Sequence, residues 1–228
     1  SAKDKQDPFF IYLPTPAPHG PYKENIPAEW KTKWLDQGYN HNVAGRYALV
    51  EDLDTQLGRL MKQLNAWKLM ENTLVIFITD NGPNTGGYKK DGKTHTLYHA
   101  GFSKGKGGVF EGSTRVPSFW QWKGVFEAGR DISKLTAHFD FFPTFMELAG
   151  IKPVASTPKY EGRSLLPLFS DPQHSWADRY LYFNTGKWDP EDDVRDYKFK
   201  SAAIRNSKYR LIWYKDEEIL LNLEEDMT

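Results

Sequence analysis

Asp80 and Asn81 stand side by side after a β-branched run and offer a carboxylate and an amide oxygen, the hard donors that calcium or magnesium prefers. The same stretch, Asp80-Asn81-Gly82-Pro83, is also good turn chemistry, because short polar side chains bond to nearby backbone. Spacing alone leaves both readings open. The run GFSKGKGGVFEGSTRVP at 101–117 sets Lys104 and Lys106 among Gly101, Gly105, Gly107 and Gly108. Bare backbone N–H groups beside ammonium charge suit a tetrahedral oxyanion. It is not a Walker A loop, which would need glycine where Ala100 stands and Ser or Thr where Gly107 stands. A solvated glycine-rich loop is the alternative. His19 sits among the four prolines of PTPAPHGPY, Pro14, Pro16, Pro18 and Pro21, either as a site residue or as a polar loop residue held in place. Lys89, Lys90, Lys93, His95 and His99 form a second basic group, usable for an anion but more often simply solvated.

These candidates need elements to carry them, and the hydropathy pattern supplies an α/β alternation. FFIYL at 9–13 reads as a buried strand, with His19 just past its carboxyl end. Val43, Tyr47, Val50, Leu53, Leu57, Leu60, Met61 and Leu64 step by three or four, which predicts one helix over 42–67. LVIFIT at 74–79 has no alternation, as in a central strand covered on both faces, and it delivers Asp80 and Asn81. In open α/β sheets ligands collect beyond the carboxyl ends of the strands, where His19 and Asp80 both fall. Residues 84–108 form a connector too long to be bland and read as a lid or site loop. Residues 116–122 regain strand character, and HFDFFPTFMELAGI predicts a helix with Asp140 near its start and Gly150 past its end. Four short strands follow at YLYF, AAIR, YRLIWY and EILLNL, with Asn206-Ser207-Lys208 suited to a tight turn. The expected division is an α/β part at 1–150 and a connecting segment with a small antiparallel sheet at 151–228.

Composition narrows the functions. The 228 residues hold 30 Lys plus Arg against 30 Asp plus Glu, so no net field steers the chain to nucleic acid or an anionic membrane. Apolar runs of about six residues are far short of a bilayer span, and neither a nucleic-acid nor a membrane partner is expected. No cysteine is present, which removes disulfides, thiolate metal sites and cysteine nucleophiles.

Taken in order, six segments resemble the sulfatase family of the alkaline-phosphatase-like superfamily. PFFIYLPTPAPHGPY is similar to the family's strand and histidine loop, ALVEDLDTQLGRLMKQL to its long helix, and LVIFITDNG to its metal strand. GKGGVFEGSTRVP resembles the lysine signature, HFDFFPTFMELAGI the next helix, and YEGRSLLPLF with YRLIWY and LLNLEED the C-terminal region. The resemblance implies a mixed sheet flanked by helices, with a small C-terminal antiparallel sheet. It implies that Asp80 and Asn81 ligate a divalent cation, calcium with magnesium as the alternative, and that His19 and Lys106 contact the sulfate of a sulfated glycan or small aryl sulfate. A cation, an ammonium and an imidazolium aimed at the charged oxygens would lower the barrier to sulfate-ester hydrolysis, and His19 is suited to protonate the leaving oxygen. Arg115 matches a family arginine beside the lysine signature, at the substrate or supporting it, with a surface ion pair equally open.

One departure is large. The family's nucleophile is a formylglycine made in a C-x-P-x-R or S-x-P-x-R motif. The Ser-x-Pro at Ser156 to Pro158 has Tyr160 where arginine is required and falls too late in the order, and the one at Ser170 to Pro172 has His174 there. The expectation is the C-terminal half of a sulfatase, inactive by itself and completed by an N-terminal half or partner chain. A phosphoester or phosphonate ester hydrolase of the same superfamily, or a noncatalytic sulfated-glycan-binding module, are the alternatives. Family habit implies a periplasmic, extracellular or lysosomal setting.

Overall fold

A computed structural model describes residues 7–22, 26–102, 104–154, 157–171, 173–186 and 188–226; the polar opening at 1–6 and Ser156 lie outside the described residues. The chain forms two compact units, one reaching to Ile76 and including Asn84–His99, the other comprising Phe77–Pro83 and the chain from Ala100 onward.

In the first unit α1 (Ala28–Leu35) packs on α2 (His41–Ala66). The long helix starts where the Asn40 side chain accepts a hydrogen bond from the Val43 amide at 3.1 Å, satisfying one of the free N–H groups of a first turn. It buries Val43, Ala44, Gly45, Ala48 and Leu64. The apolar stripe read from the sequence is therefore covered only in part: Val50 and Leu60 remain 47% and 40% exposed. A Cβ on Gly45 would lie 2.3 Å from the Tyr22 carbonyl oxygen, so glycine lets the proline-rich segment cross the helix.

One expectation fails in this unit and another is refined. The FFIYL segment is no strand: it pairs with no described strand, and Phe10, Ile11 and Tyr12 are at least 70% exposed. An extended segment becomes a strand only against a neighbouring strand, and none of the described strands pairs with it. Within the supposed lid loop, β2 (Gly87–Lys90) and β3 (Lys93–Thr96) form an antiparallel hairpin. Asp91 and Gly92 turn it with φ of 51° and 71°, the left-handed conformation that a two-residue hairpin turn requires. Tyr88 of the hairpin meets Tyr39 at 5.9 Å between ring centroids, and Tyr39 meets Tyr47 of α2 at 5.3 Å.

The second unit begins within β1 (Val75–Ile78), whose Phe77 ring lies 6.3 Å from Phe119 of its partner strand β4 (Ser118–Gln121). All four residues of β1 are half-buried rather than enclosed on both faces, because β4 is its one neighbour among the described strands. The segment after β1 is followed in this unit by α3 (Glu111–Thr114), then α4 (Phe141–Leu148) behind a 3-10 turn at His138–Asp140, and α5 (Leu166–Ser170). The carboxylate of buried Asp140 accepts the Ala137 amide at 2.8 Å and the Arg163 amide at 2.9 Å and takes both terminal nitrogens of Arg179. One side chain thus ties the start of α4 to the chain 23 to 39 residues later.

The four C-terminal strands form the antiparallel sheet expected from their pattern, in the order β5 (Leu181–Asn184), β6 (Ala202–Arg205), β7 (Tyr209–Tyr214), β8 (Glu217–Asn222). The β6–β7 turn is closed by Asn206, whose side-chain oxygen accepts the Lys208 and Tyr209 amides at 3.0 and 2.7 Å. Register aligns Phe183, Ala203, Ile212 and Ile219 across one face, which packs on Val109 and Phe110. The glycine-rich segment is thereby seated on the C-terminal sheet.

Candidate functional site

The chain after β1 turns sharply at Asp80-Asn81. Asp80 Oδ1 accepts the Asn81 backbone N–H at 2.9 Å and its side-chain amide at 3.1 Å, and Asp80 Oδ2 and Asn81 Oδ1 take no part in these two bonds. The turn reading is met by these bonds, which use one oxygen of the carboxylate and so do not exclude the ligand reading. Their chemistry suits calcium or magnesium, but two fall short of the about six to eight oxygens calcium takes. Among the described residues no group of three or more His, Asp or Glu side chains is arranged to hold a metal ion. Asp80 and Asn81 do not complete a cation site by themselves.

The glycine-rich segment is laced to this turn by backbone. Lys106 N–H donates to the Pro83 carbonyl at 2.8 Å, Gly82 N–H to the Ser113 carbonyl at 2.9 Å, and the Ser113 hydroxyl to the Gly105 carbonyl at 2.6 Å. Gly82 and Gly112 are obligatory at the crossing, since a Cβ on Gly82 would lie 1.8 Å from the Gly112 carbonyl oxygen and one on Gly112 would lie 2.0 Å from that of Lys104. Beneath the segment, buried Glu111 pairs with Arg205 and, at 2.7 Å, with Arg210. Arg210, fully buried, also reaches the Val109 carbonyl at 2.8 Å through Nε and the Thr114 hydroxyl at 3.1 Å. Burial lowers the Arg210 pKa by opposing its charge, and the Glu111 carboxylate works against that shift.

A pocket of 360 Å³ opens over this arrangement, lined by Asp80, Asn81, Lys106, Gly107, Gly108, Ser113, Thr114, His138, Phe183 and Thr185, all from the second unit. His138 comes from the 3-10 turn before α4, and its Nε2 stands 2.9 Å from the Thr79 carbonyl, one residue before Asp80. Phe183 belongs to β5 and Thr185 follows it, so the C-terminal sheet supplies one wall. The concavity combines a carboxylate, an amide, an ammonium, an imidazole and three hydroxyls, a set able to bind an anionic group beside a cation.

Of the residues singled out in the sequence, Asp80, Asn81 and Lys106 share this pocket. His19 belongs to the first unit, where it is exposed, with its N–H on the Pro16 carbonyl at 2.8 Å and Nδ1 2.8 Å from the Gly20 carbonyl. Arg115 is not among the pocket-lining residues; its side chain is 56% exposed, 3.9 Å from Glu111, with its guanidinium 5.9 Å from the Phe102 ring. Lys89, Lys90, Lys93 and His95 lie on the hairpin of the first unit, with Lys90 Nζ 4.1 Å from the Tyr39 ring centre. Sequence reasoning missed His138, Glu111 and Arg210. One signal was available for the last: in YRLIWY, Arg210 shares the strand face of Ile212, so an ion in the apolar register called for a buried partner.

Comparison with known proteins agrees over the whole length. The Sulfatase family model matches residues 1–151, and the family model for the C-terminal part of N-sulphoglucosamine sulphohydrolase matches residues 99–228. Human steryl-sulfatase is 30% identical over 164 residues, covering 69% of this chain and 28% of that protein. The uncharacterized sulfatase YdeN of Escherichia coli is 29% identical over 238 residues, covering 93% of this chain and 40% of that protein. The crystal structure of Ps i-CgsB in complex with k-i-k-neocarrahexaose superposes with a TM-score of 0.80 at 28% identity, covering all of this chain and 46% of that one. The chain thus spans well under half the length of these curated relatives.

Proposed function

The chain belongs to the sulfatase family, and from that premise we propose that the protein hydrolyses sulfate esters, with the pocket around Asp80, Asn81 and Lys106 holding the sulfate end of the substrate. The observation that carries this reading is the convergence of those three side chains with His138 in one concavity of one unit. A sulfate ester breaks through a transition state with charge on its nonbridging and leaving oxygens, and the Lys106 ammonium opposes that charge where it develops. The backbone bonds around Gly82, Pro83 and Ser113 hold the loop in place, so little reorganisation accompanies the reaction.

Asp80 Oδ2 and Asn81 Oδ1 are proposed as two of the ligands of a divalent cation, calcium or magnesium. Such an ion, when bound, polarises the sulfate oxygens. His19 is proposed to contact the sulfate and to protonate the leaving oxygen, and Arg115 to support the lysine segment through Glu111. The proposed nucleophile, a formylglycine, has no candidate in these 228 residues, so turnover is assigned to the whole protein rather than to this chain. The Ps i-CgsB complex with k-i-k-neocarrahexaose favours a sulfated carbohydrate over a small aryl sulfate as the natural substrate.

The test compares an aryl sulfate with an aryl phosphate as substrates of the whole protein, each with wild type and Lys106→Ala. Sulfate turnover that exceeds phosphate turnover and falls at least about tenfold on loss of the lysine supports the reading, one charge-assisted contact being worth that much. Faster phosphate turnover reassigns the protein to phosphoester hydrolysis. Sulfated-glycan binding without turnover reassigns it to a binding module.

A further inference from the structure

The sheet register poses a problem that the lysine segment answers. Arg205 of β6 and Arg210 of β7 are directly opposed cross-strand partners, on the same face as the core residues Ala203 and Ile212. Like charges directly opposite in adjacent strands repel, and Arg210 is fully buried. Removing a charge partner inside a protein is strongly destabilising, so two guanidiniums there require a carboxylate. Glu111 provides it from the lysine segment, one oxygen toward each arginine.

We infer that Arg210 and Glu111 are positioning residues for Lys106, holding the glycine-rich segment in the one conformation that carries its ammonium into the pocket; this rests on the reading of Lys106 as a sulfate contact. Arg210 grips the segment at three residues, the Val109 carbonyl, the Glu111 carboxylate and the Thr114 hydroxyl. Gly105, Gly107 and Gly108 have no side chains with which to anchor themselves, so the segment depends on neighbours for its shape. Lysine in place of Arg210 keeps the charge but lacks the planar fork that bonds carbonyl and carboxylate together. Arg210 thereby acts on the sulfate contact through Lys106 without itself lining the pocket.

The experiment is a double-mutant cycle on the whole protein, read as the dissociation constant for inorganic sulfate by calorimetry, with a thermal melt of each variant. Lys106→Ala is expected to weaken sulfate binding about tenfold to a hundredfold, the worth of one charge-assisted hydrogen bond. Arg210→Lys is expected to weaken it by a similar factor. The double variant should bind within about twofold of Lys106→Ala alone, because residues acting through one contact are not additive. Multiplying factors overturn the inference and leave the proposed function standing. Unchanged binding in Lys106→Ala, or no binding by wild type, refutes the proposed function and the inference with it. If Arg210→Lys loses its cooperative melt, Glu111→Gln takes its place in the cycle. Loss of folding in both overturns the inference, since the cluster then holds the whole fold rather than the segment.

Discussion

Asp140→Asn tests whether the turn bearing His138 is held by charge. In the wild type the Asp140 carboxylate is fully buried and accepts four donors: the Ala137 and Arg163 amides and both terminal nitrogens of Arg179, whose side chain is only 8% exposed. Asparagine keeps one oxygen, turns an NH2 toward donors, and leaves the Arg179 charge uncompensated. Breaking a buried pair in this way costs about 3–5 kcal/mol. The Leu135 carbonyl at 3.2 Å and the Phe139 and Trp176 rings also meet the guanidinium, but none of them carries a compensating negative charge. The assay is equilibrium urea denaturation of the whole protein, followed by the sulfate dissociation constant under native conditions. Loss of the Ala137 bond should also loosen His138 at the pocket wall and weaken sulfate binding. Adding Arg179→Met to Asp140→Asn removes the stranded charge and should restore part of the loss. A destabilisation below about 1 kcal/mol, the worth of one ordinary hydrogen bond, or no recovery in the double variant would refute the argument.

Three further outcomes follow from the same geometry. Gly82→Ala places a Cβ 1.8 Å from the Gly112 carbonyl oxygen, so the Asp80 turn must move; calcium and sulfate affinity measured by calorimetry should both fall, with a stability loss of about 1–3 kcal/mol typical of overpacking. Asp178 is pushed up by burial, but the Ser207 and Arg179 amides, the Ser207 hydroxyl and the Arg205 charge together hold it below the ordinary carboxylate value. Its stabilisation is full above that ordinary value, about pH 4, and is lost as pH falls through the lowered one; an acid titration of stability should flatten there in Asp178→Asn. Gly92→Val forces a β-branched residue to a φ of 71°, and proteolysis within the β2–β3 hairpin should accelerate while melting of the second unit is unchanged.

How much of this was legible in the sequence depends on how local each cause is. The α2 pattern and the four C-terminal strands are written in residues close together in the chain, and the structure places them within a few positions of expectation. The hairpin at 87–96 was also legible, because Asp91-Gly92 demands a two-residue turn, but the abundance of lysine and glycine around it suggested a loop instead. FFIYL misled for the opposite reason: five apolar residues state a preference for burial, and burial needs a partner strand that the pattern cannot supply. Asp80, Asn81 and Lys106 were visible through their types and their order along the chain. Glu111 was not, since it meets Arg210 across 99 residues and has no pattern of its own, and Arg210 showed only as an ion in the apolar register of its strand.

The glycines around Lys106 show why types alone leave the chemistry open. In the sequence they read as freedom, and a free loop would be a poor catalyst, because donors that must first be ordered lose their advantage in the transition state. In the structure Gly82 and Gly112 are where two backbones touch, and Gly108 lies under the Ser113 hydroxyl, which a Cβ would approach to 2.8 Å. Of the glycines nearest Lys106, Gly107 takes a φ of 85° that requires glycine for conformation as well. Their absent side chains let Ser113, Pro83 and Gly82 close on the segment from one side while Arg210 and Glu111 hold it from the other. The segment is constrained because it is glycine-rich, and under the proposed function an ammonium carried on it would meet the developing charge of a sulfate ester without first having to find its place.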